Sequence, residues 1–196
     1  RQIGDCIINA APKQGVRHVV LSTLLHPIIT ALLQHETKRH VEERLIQNSE
    51  WLFIEGYLFA NPNTGQTAIR EAIRLAKRHG TKIAITCSDA FVPQVFGDAL
   101  GEALEQADLF FCNEGEARAV AKASNGEEAF DKLKGKFPSL VVTNGPHGAF
   151  IRHDGVEAHV PSFPTDPKDL TGAGDMFAGA FLYGITHGAS PVKAAR

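Results

Sequence analysis

Residues 169–177 read Asp-Leu-Thr-Gly-Ala-Gly-Asp-Met-Phe, and residues 178–185 continue as Ala-Gly-Ala-Phe-Leu-Tyr-Gly-Ile. The second run is long and apolar enough to predict a buried helix, which the first run would begin. Helix N-termini bind phosphate readily, because their first N–H groups are unpaired and carry a partial positive charge. Gly172, Ala173 and Gly174 place no bulky side chain between those amides and an anion.

Asp175 follows these small residues, where a carboxylate can accept a proton from a hydroxyl that attacks the bound phosphate. The stretch therefore predicts phosphoryl transfer from a nucleotide to an alcohol. A simpler interpretation also exists: the Gly-rich turn starts a tightly packed helix, and Asp175 complements the helix dipole.

Strand-like and helical patterns alternate from residue 51 onward. Strands are predicted at 51–54, 82–87, 109–112 and 140–143, and helices at 67–79, 94–106, 114–122 and 127–134. A hairpin is predicted from 149–152 and 156–159, turned by Asp154-Gly155. Within residues 1–50 the pattern is weaker: it predicts a strand at 16–21 and helices at 27–34 and 41–47. The order predicts an α/β fold, with a mainly parallel sheet covered by helices on both faces.

Polar motifs follow two of these strands, where ligands of such sheets bind. Asn113-Glu114-Gly115-Glu116 predicts a helix cap, with Asn113 as N-cap and Glu116 reaching back to it. Thr143-Asn144-Gly145-Pro146-His147-Gly148 predicts a tight turn. Both segments also allow a phosphate-binding interpretation. His147 is expected to be a solvated turn residue.

The pattern D-x-T-G-A-G-D-x-F of residues 169–177 resembles the C-terminal signature of the ribokinase-like (PfkB) family of carbohydrate and nucleoside kinases. The N-x-x-E of residues 113–116 and the T-x-G-x-x-G of residues 143–148 resemble two further motifs of that family. Glu55-Gly56-Tyr57, Ser88-Asp89-Ala90-Phe91 and Val95-Phe96 resemble its adenosine kinase branch. The resemblance covers residues 41–196. The family's acceptor-binding N-terminal part, its lid and a C-terminal segment near adenine have no recognisable counterpart.

The resemblance implies a role for each matching residue. Asp175 would be the catalytic base, and the amides of residues 172–174 would form an anion hole. Glu116 would help place Mg²⁺ through water. The nucleotide and its phosphates would lie near a further set of residues, namely Asn113, Thr143, Gly145, Asp169 and Thr171.

Composition excludes several other classes. The net charge of −2 gives no reason to expect nucleic acid or a membrane surface as partner, and no apolar run reaches the length of a membrane span. Cys6, Cys87 and Cys112 are far apart and fit reduced thiols in a cytoplasmic protein. P-loop, dinucleotide and hydrolase-elbow motifs are absent from the sequence.

These observations predict one ribokinase-like core over residues 41–196 and leave residues 1–40 unassigned, as a divergent remnant of the acceptor and lid region. The predicted reaction uses ATP and Mg²⁺ to phosphorylate a primary alcohol, with the 5′-hydroxyl of adenosine as first acceptor. A fructokinase- or ribokinase-type sugar kinase and a catalytically silent nucleotide-binding fragment are the alternatives, and a homodimer is left open. Because the chain starts at Arg1 and stops within a predicted helix at residues 191–196, we expect further sequence on both sides and weak or no activity alone.

Overall fold

The computed structural model describes residues 7–9, 18–22, 41–170 and 172–196, and the chain divides into two compact units, residues 1–108 and 109–196. For residues 7–9 and 18–22 the description is limited to the backbone. The helix predicted at 27–34 and Cys6 lie outside the described residues.

Among its described residues the first unit has four strands, numbered in chain order: β1 (Ile7–Asn9), β2 (His18–Ser22), β3 (Trp51–Ile54) and β4 (Lys82–Thr86). Strands β2, β3 and β4 run parallel, and β1 pairs antiparallel with β2. All four residues of β3 are buried, as expected for a central parallel strand with an unbroken apolar sequence. The strand predicted at 16–21 is confirmed as β2, whereas β1 was not predicted.

The α-helices that the structure describes in the same unit are α1 (Glu43–Gln47), α2 (Gly65–His79), α3 (Phe91–Val95) and α4 (Gly97–Leu104). Helix α2 buries one apolar stripe, which includes Ile69, Ala72 and Ala76, and Gly80 ends it in the left-handed conformation at φ 73°. The helix predicted over 94–106 is present as α4, but it starts later, at Gly97, and ends at Leu104. Phe96 has φ −119° and ψ 27°, which separates α3 from α4.

The second unit contains β5 (Leu109–Asn113), β6 (Ser139–Thr143), β7 (Ala149–His153) and β8 (Val156–Val160). Strands β5 and β6 are parallel, and β7 and β8 continue from β6 as an antiparallel hairpin. Asp154 and Gly155 turn the predicted hairpin with positive φ at both residues, 48° and 76°. Two positive φ values are the requirement of a two-residue type I′ turn, which Asp-Gly satisfies.

The helices of the second unit are α5 (Glu114–Ala121), α6 (Gly126–Leu133), α7 (Ala173–Thr186) and α8 (Pro191–Ala194). Helix α7 is fixed to the sheet by Phe181, whose ring packs edge-on against Phe111 of β5 and against His153 of β7. His153 is itself buried and shares a 2.7 Å hydrogen bond with Ser139 Oγ across β6 and β7. The predicted α/β fold class is confirmed.

Candidate active site

Helix α7 begins with an open first turn. Gly172 is its N-cap in the left-handed conformation at φ 75°, and it provides no side chain to cap the helix. A Cβ built on Gly172 or Gly174 would meet no atom within 4 Å, so an anion can approach this turn. The amide of Ala173 donates to Leu170 O at 3.1 Å and would have to leave that bond to serve an anion. The turn therefore has the small side chains and open approach that phosphate needs.

Asp175 is the third residue of α7, and its residue surface is exposed. Neighbouring atoms still withdraw part of its carboxyl from water, and this partial burial raises the pKa of Asp175 above its ordinary value of 3.8. A carboxylate with a raised pKa is a stronger base. It can therefore accept a proton more readily than an ordinary surface aspartate.

The turn after β6 has a backbone that depends on its two glycines. Gly145 has φ 51° and starts one turn of 3₁₀ helix, residues Gly145–His147. Gly148 has φ 91°, and a Cβ there would lie 2.1 Å from Val160 O. Asn144 N–H donates to Gly148 O at 2.7 Å and closes the turn. His147 is exposed, as expected for a solvated turn residue.

A pocket of about 300 Å³ unites this turn with the start of α7. Thr143 and Gly145 form one side, and Ala173 and Gly174 form another. At its edge the Arg196 guanidinium lies over the Phe163 ring, 5.6 Å from the ring centroid. Two motifs that are separated by about 30 residues in sequence thus share one cavity in the second unit. Gly172, Asp175 and Asp169 are not part of the lining.

Asn113 and Glu116 form the predicted capping box at the start of α5. Asn113 Oδ1 accepts from the Glu116 amide at 2.9 Å, and both carboxylate oxygens of Glu116 accept from Asn113, one from its amide and one from Nδ2. Glu116 is only 3% exposed. Each carboxylate oxygen has a second lone-pair direction, so a water-mediated contact with Mg²⁺ is chemically compatible with the cap. Within the residues that the structure describes, no group of three or more His, Cys, Asp or Glu side chains could hold a metal.

The other two predicted residues precede α7. Asp169 is exposed and belongs to residues 161–170, all of which are exposed and lie outside helices and strands. Thr171 lies outside the described residues. Their roles near the phosphates stay predictions.

Sequence reasoning missed part of the pocket wall. Gly148, Phe177, Phe163 and Arg196 all contribute to the lining. Gly148 was detectable as the last residue of the T-x-G-x-x-G segment, and Phe177 as the last residue of the opening motif. Phe163 and Arg196 carry no motif that could have identified them.

In the first unit, the motifs that resemble the adenosine kinase branch meet in an aromatic cluster of Tyr57, Phe91 and Phe96. The Phe91 ring centroid lies 6.2 Å from each of the other two, and all three rings are half-buried. The ends of β3 and β4 approach closely beneath it, because a Cβ on Gly56 would lie 1.9 Å from Cys87 O. Ser88, at φ 63°, accepts a 2.8 Å hydrogen bond from the Gly56 amide through Oγ.

Among the described helices, none has the length and apolar character to cross a bilayer.

Comparison with known proteins identifies relatives. A family described as pfkB family carbohydrate kinase matches residues 7–196. The 2-dehydro-3-deoxygalactonokinase of Haloferax volcanii is 29% identical over 77% of this chain and 49% of its own length. The adenosine kinase of Saccharomyces cerevisiae is 29% identical over 78% of this chain and 48% of its own.

The fold also matches a crystal structure of an E. coli protein provisionally named Ribokinase II, in complex with ATP and Mg²⁺. The TM-score is 0.72 at 26% identity, over 81% of this chain and 53% of that one. The chain thus spans about half the length of these relatives.

Proposed function

Because the chain belongs to the pfkB family of carbohydrate kinases, we propose that it transfers the γ-phosphoryl group of ATP to a primary alcohol of a nucleoside or sugar. The pocket shared by Thr143, Gly145, Ala173 and Gly174 carries this proposal. It joins a glycine turn to a helix N-terminus, two backbone arrangements that suit phosphates. The complex of the E. coli relative with ATP and Mg²⁺ supports the choice of donor.

Asp175 is proposed as the base. The acceptor hydroxyl attacks the γ-phosphorus, a new O–P bond forms, and the bond to the β-phosphate oxygen breaks to release ADP. The hydroxyl proton passes to the Asp175 carboxylate, whose raised pKa favours acceptance. Amides of residues 172–174 stabilise the charge on the transferred oxygens, so positioning and electrostatics provide most of the rate.

Glu116 is proposed to hold a water of hydrated Mg²⁺. That ion supplies charge neutralisation at the phosphates when it is bound. The cap with Asn113 fixes the Glu116 carboxylate by two hydrogen bonds, 2.8 and 2.9 Å long. A fixed carboxylate loses little further entropy when it orders a water.

Adenosine is the proposed first acceptor, through its 5′-hydroxyl. The 29% identity to the adenosine kinase of Saccharomyces cerevisiae supports this choice of acceptor. The relatives include both an adenosine kinase and a sugar-acid kinase, so a ribokinase- or fructokinase-type acceptor is the second candidate.

The test combines calorimetry with a single-turnover assay on the 196-residue chain. ATP with Mg²⁺ is titrated into the protein, and the protein in excess is then incubated with labelled ATP and adenosine, ribose or fructose. We expect heat of binding and, at the weak activity expected of this chain alone, a small amount of labelled product with adenosine. Product with ribose or fructose alone would favour the sugar kinase candidate. Binding without any labelled product would favour the silent nucleotide-binding fragment, and absence of both would overturn the proposal.

A further inference from the structure

A groove in the first unit runs between helices α2 and α4. Its volume is about 300 Å³, at the lower end of the range for small-molecule sites. The residues of α2 that line it follow the i, i+3, i+4 spacing of a single helix face. They are Gln66, Ile69, Arg70, Ile73, Arg74 and Lys77. The groove shares no residue with the phosphate pocket of the second unit.

The floor of the groove is apolar and consists of Phe59, Ile69, Ile73, Ala99 and Ala103. Phe59, Ile69 and Ala103 are almost completely buried, and Ile73 and Ala99 are half-buried. A polar group placed on this floor would lose its hydration without gaining a hydrogen-bond partner. A ligand of the groove must therefore offer an apolar surface of its own.

The charged side chains of the rim form two pairs and leave one cation over. Arg70 Nη2 lies 3.4 Å from Glu102 Oε2, so this pair joins α2 to α4 across the groove. Arg74 donates to both carboxylate oxygens of Glu71, through Nε at 2.8 Å and Nη2 at 2.6 Å. Lys77 is exposed, and it has no hydrogen bond or ion pair from its ammonium group within the described part of the chain. The groove thus offers a single unpaired positive charge.

The composition of the rim favours a small ligand over a covering stretch of polypeptide. Contacts between protein surfaces are depleted of Lys and Glu, since a charge that is buried there loses its hydration. Arg70, Arg74 and Glu102 each keep more than half of their side-chain surface in water. A polypeptide laid across α2 and α4 would bury these side chains and Lys77, whereas a slender ligand between the helices leaves them solvated.

We propose that the groove between α2 and α4 binds a linear alkyl carboxylate, with its chain on the apolar floor and its carboxylate beside Lys77. The stretch from Ile69 to Lys77 extends about 12 Å along the helix axis, at a rise of 1.5 Å per residue. That length suits a medium-length alkyl chain. The proposal goes beyond phosphoryl transfer and does not rest on it.

The pairing of the rim charges favours a monocarboxylate over a phosphate. A phosphate carries more charge and is bound best by several free donors, among which the Arg fork is preferred. The Arg74 fork is already occupied by Glu71, and Arg70 is paired with Glu102. One carboxylate matches the one unpaired ammonium, that of Lys77, and disturbs neither pair.

Octanoate is the probe, and its binding to the isotope-labelled 196-residue chain is followed by the NMR shifts of backbone amides. We expect saturable shifts along α2 and α4, at Ile69, Ile73 and Ala103 among others. Hexanoate is shorter by two methylene groups and should bind about tenfold more weakly, because both groups lie on the apolar floor. Octanol and octylamine have the same chain without the negative charge and should bind more weakly than octanoate.

Ile73→Glu is the variant that blocks the site. Its carboxylate charges the floor and lies one turn before Lys77, in the i, i+4 order that stabilises a helix. It should weaken octanoate binding at least about tenfold and leave the chain folded, because residue 73 is only half-buried. Lys77→Gln should weaken binding about two- to fivefold, the loss of an exposed ion pair. Lys136→Gln removes an equally exposed cation from the second unit and is the matched control, which should bind like the parent.

The proposal is overturned if octanoate gives no saturable shifts or shifts only the second unit. It is also overturned if octanol binds as tightly as octanoate, or if Ile73→Glu and Lys77→Gln both leave the affinity unchanged. The same titration applies to a longer polypeptide that contains this chain. Loss of octanoate binding there would assign the groove to the remainder of that polypeptide, against the proposal. None of these results bears on ATP binding.

Discussion

Asn113 and Thr143 are register partners at the carboxyl ends of the parallel strands β5 and β6. Each is the last residue of its strand, and each begins a motif: Asn113 opens the capped helix α5, and Thr143 opens the glycine turn of the pocket. The register therefore fixes the cap and the turn side by side. A substitution at one of these residues should therefore affect the position of the other through the strand pair.

The first prediction concerns Asp175→Asn. This change preserves the shape of the first turn of α7 but removes proton acceptance. Phosphoryl transfer to adenosine in the single-turnover assay should fall about 10²- to 10⁴-fold, the usual loss for a general base. ATP affinity by calorimetry should stay within error, because the backbone amides remain. A variant that retains parental rate would exclude Asp175 as the base.

The pH dependence of the same reaction provides the second prediction. Partial burial raises the pKa of Asp175 above 3.8, so the carboxylate becomes protonated at a higher pH than an ordinary aspartate does. Since the base must be ionised, the rate should fall as the pH is lowered through that raised pKa. The acid limb should be missing from the residual rate of Asp175→Asn. If the rate of both proteins falls over the same acidic pH range, that fall belongs to the titration of another group.

The third prediction uses two helix caps in one unit. Asn113 caps α5, and Asn125 caps α6 by accepting from the Glu128 amide at 2.9 Å. Replacement of either Asn by Ala should lower the free energy of unfolding by about 1 kcal/mol. Only Asn113→Ala should also weaken the binding of ATP with Mg²⁺. Equal effects of both variants on nucleotide affinity would reduce Asn113 to a structural cap.

Glu116→Gln tests whether the partner of Asn113 in the cap also orders hydrated Mg²⁺. Both Glu116 oxygens accept hydrogen bonds from Asn113, and Gln offers one oxygen and one NH₂ group. The variant should therefore lose about 1 kcal/mol of unfolding free energy, because one donor of Asn113 is left without an acceptor. If Glu116 also orders hydrated Mg²⁺, the concentration of Mg²⁺ needed for half-maximal ATP binding should rise. An unchanged Mg²⁺ requirement would leave Glu116 with the cap alone.

The fourth prediction compares two glycines to separate the cost of a positive φ from the cost of a steric clash with an added Cβ. Gly148 and Gly155 both have positive φ, 91° and 76°. A Cβ on Gly148 would also lie 2.1 Å from Val160 O, whereas one on Gly155 would meet no atom within 4 Å. Gly155→Ala should cost about 1–2 kcal/mol, from the left-handed backbone alone. Gly148→Ala should cost clearly more and weaken ATP binding, as measured by denaturant titration and calorimetry. Equal costs would show that the turn shifts freely away from Val160.

The sequence predicted the elements that depend on local chemistry. The Asp154-Gly155 turn and the Asn113–Glu116 cap each follow from two to four adjacent residues, and the structure confirms both. The helix predicted over 94–106 is present as α4, but the prediction starts it three residues too early, because the apolar periodicity continues across the non-helical Phe96.

Part of the pocket wall could not be predicted from local sequence. Phe163 and Arg196 approach each other through the path of the chain after β8 and α8, and no pairing rule in the sequence encodes that approach. The sequence also gave no sign of β1, which has three residues and pairs with a strand nine residues later. Motifs and periodicity therefore do not predict contacts that depend on tertiary packing.

Helix α7 is held at its middle and open at its beginning. Phe181 is fully buried between Phe111 and His153, whereas residues 172–175 are exposed and follow ten exposed residues, 161–170, outside helices and strands. Backbone amides near Phe181 should thus exchange with deuterium slowly, and those of the first turn quickly. A bound phosphate would slow exchange where the helix begins and leave its centre unaltered. The end of α7 that carries Asp175 is in this way free to be ordered by its ligand, while the remainder of the helix keeps the fold intact.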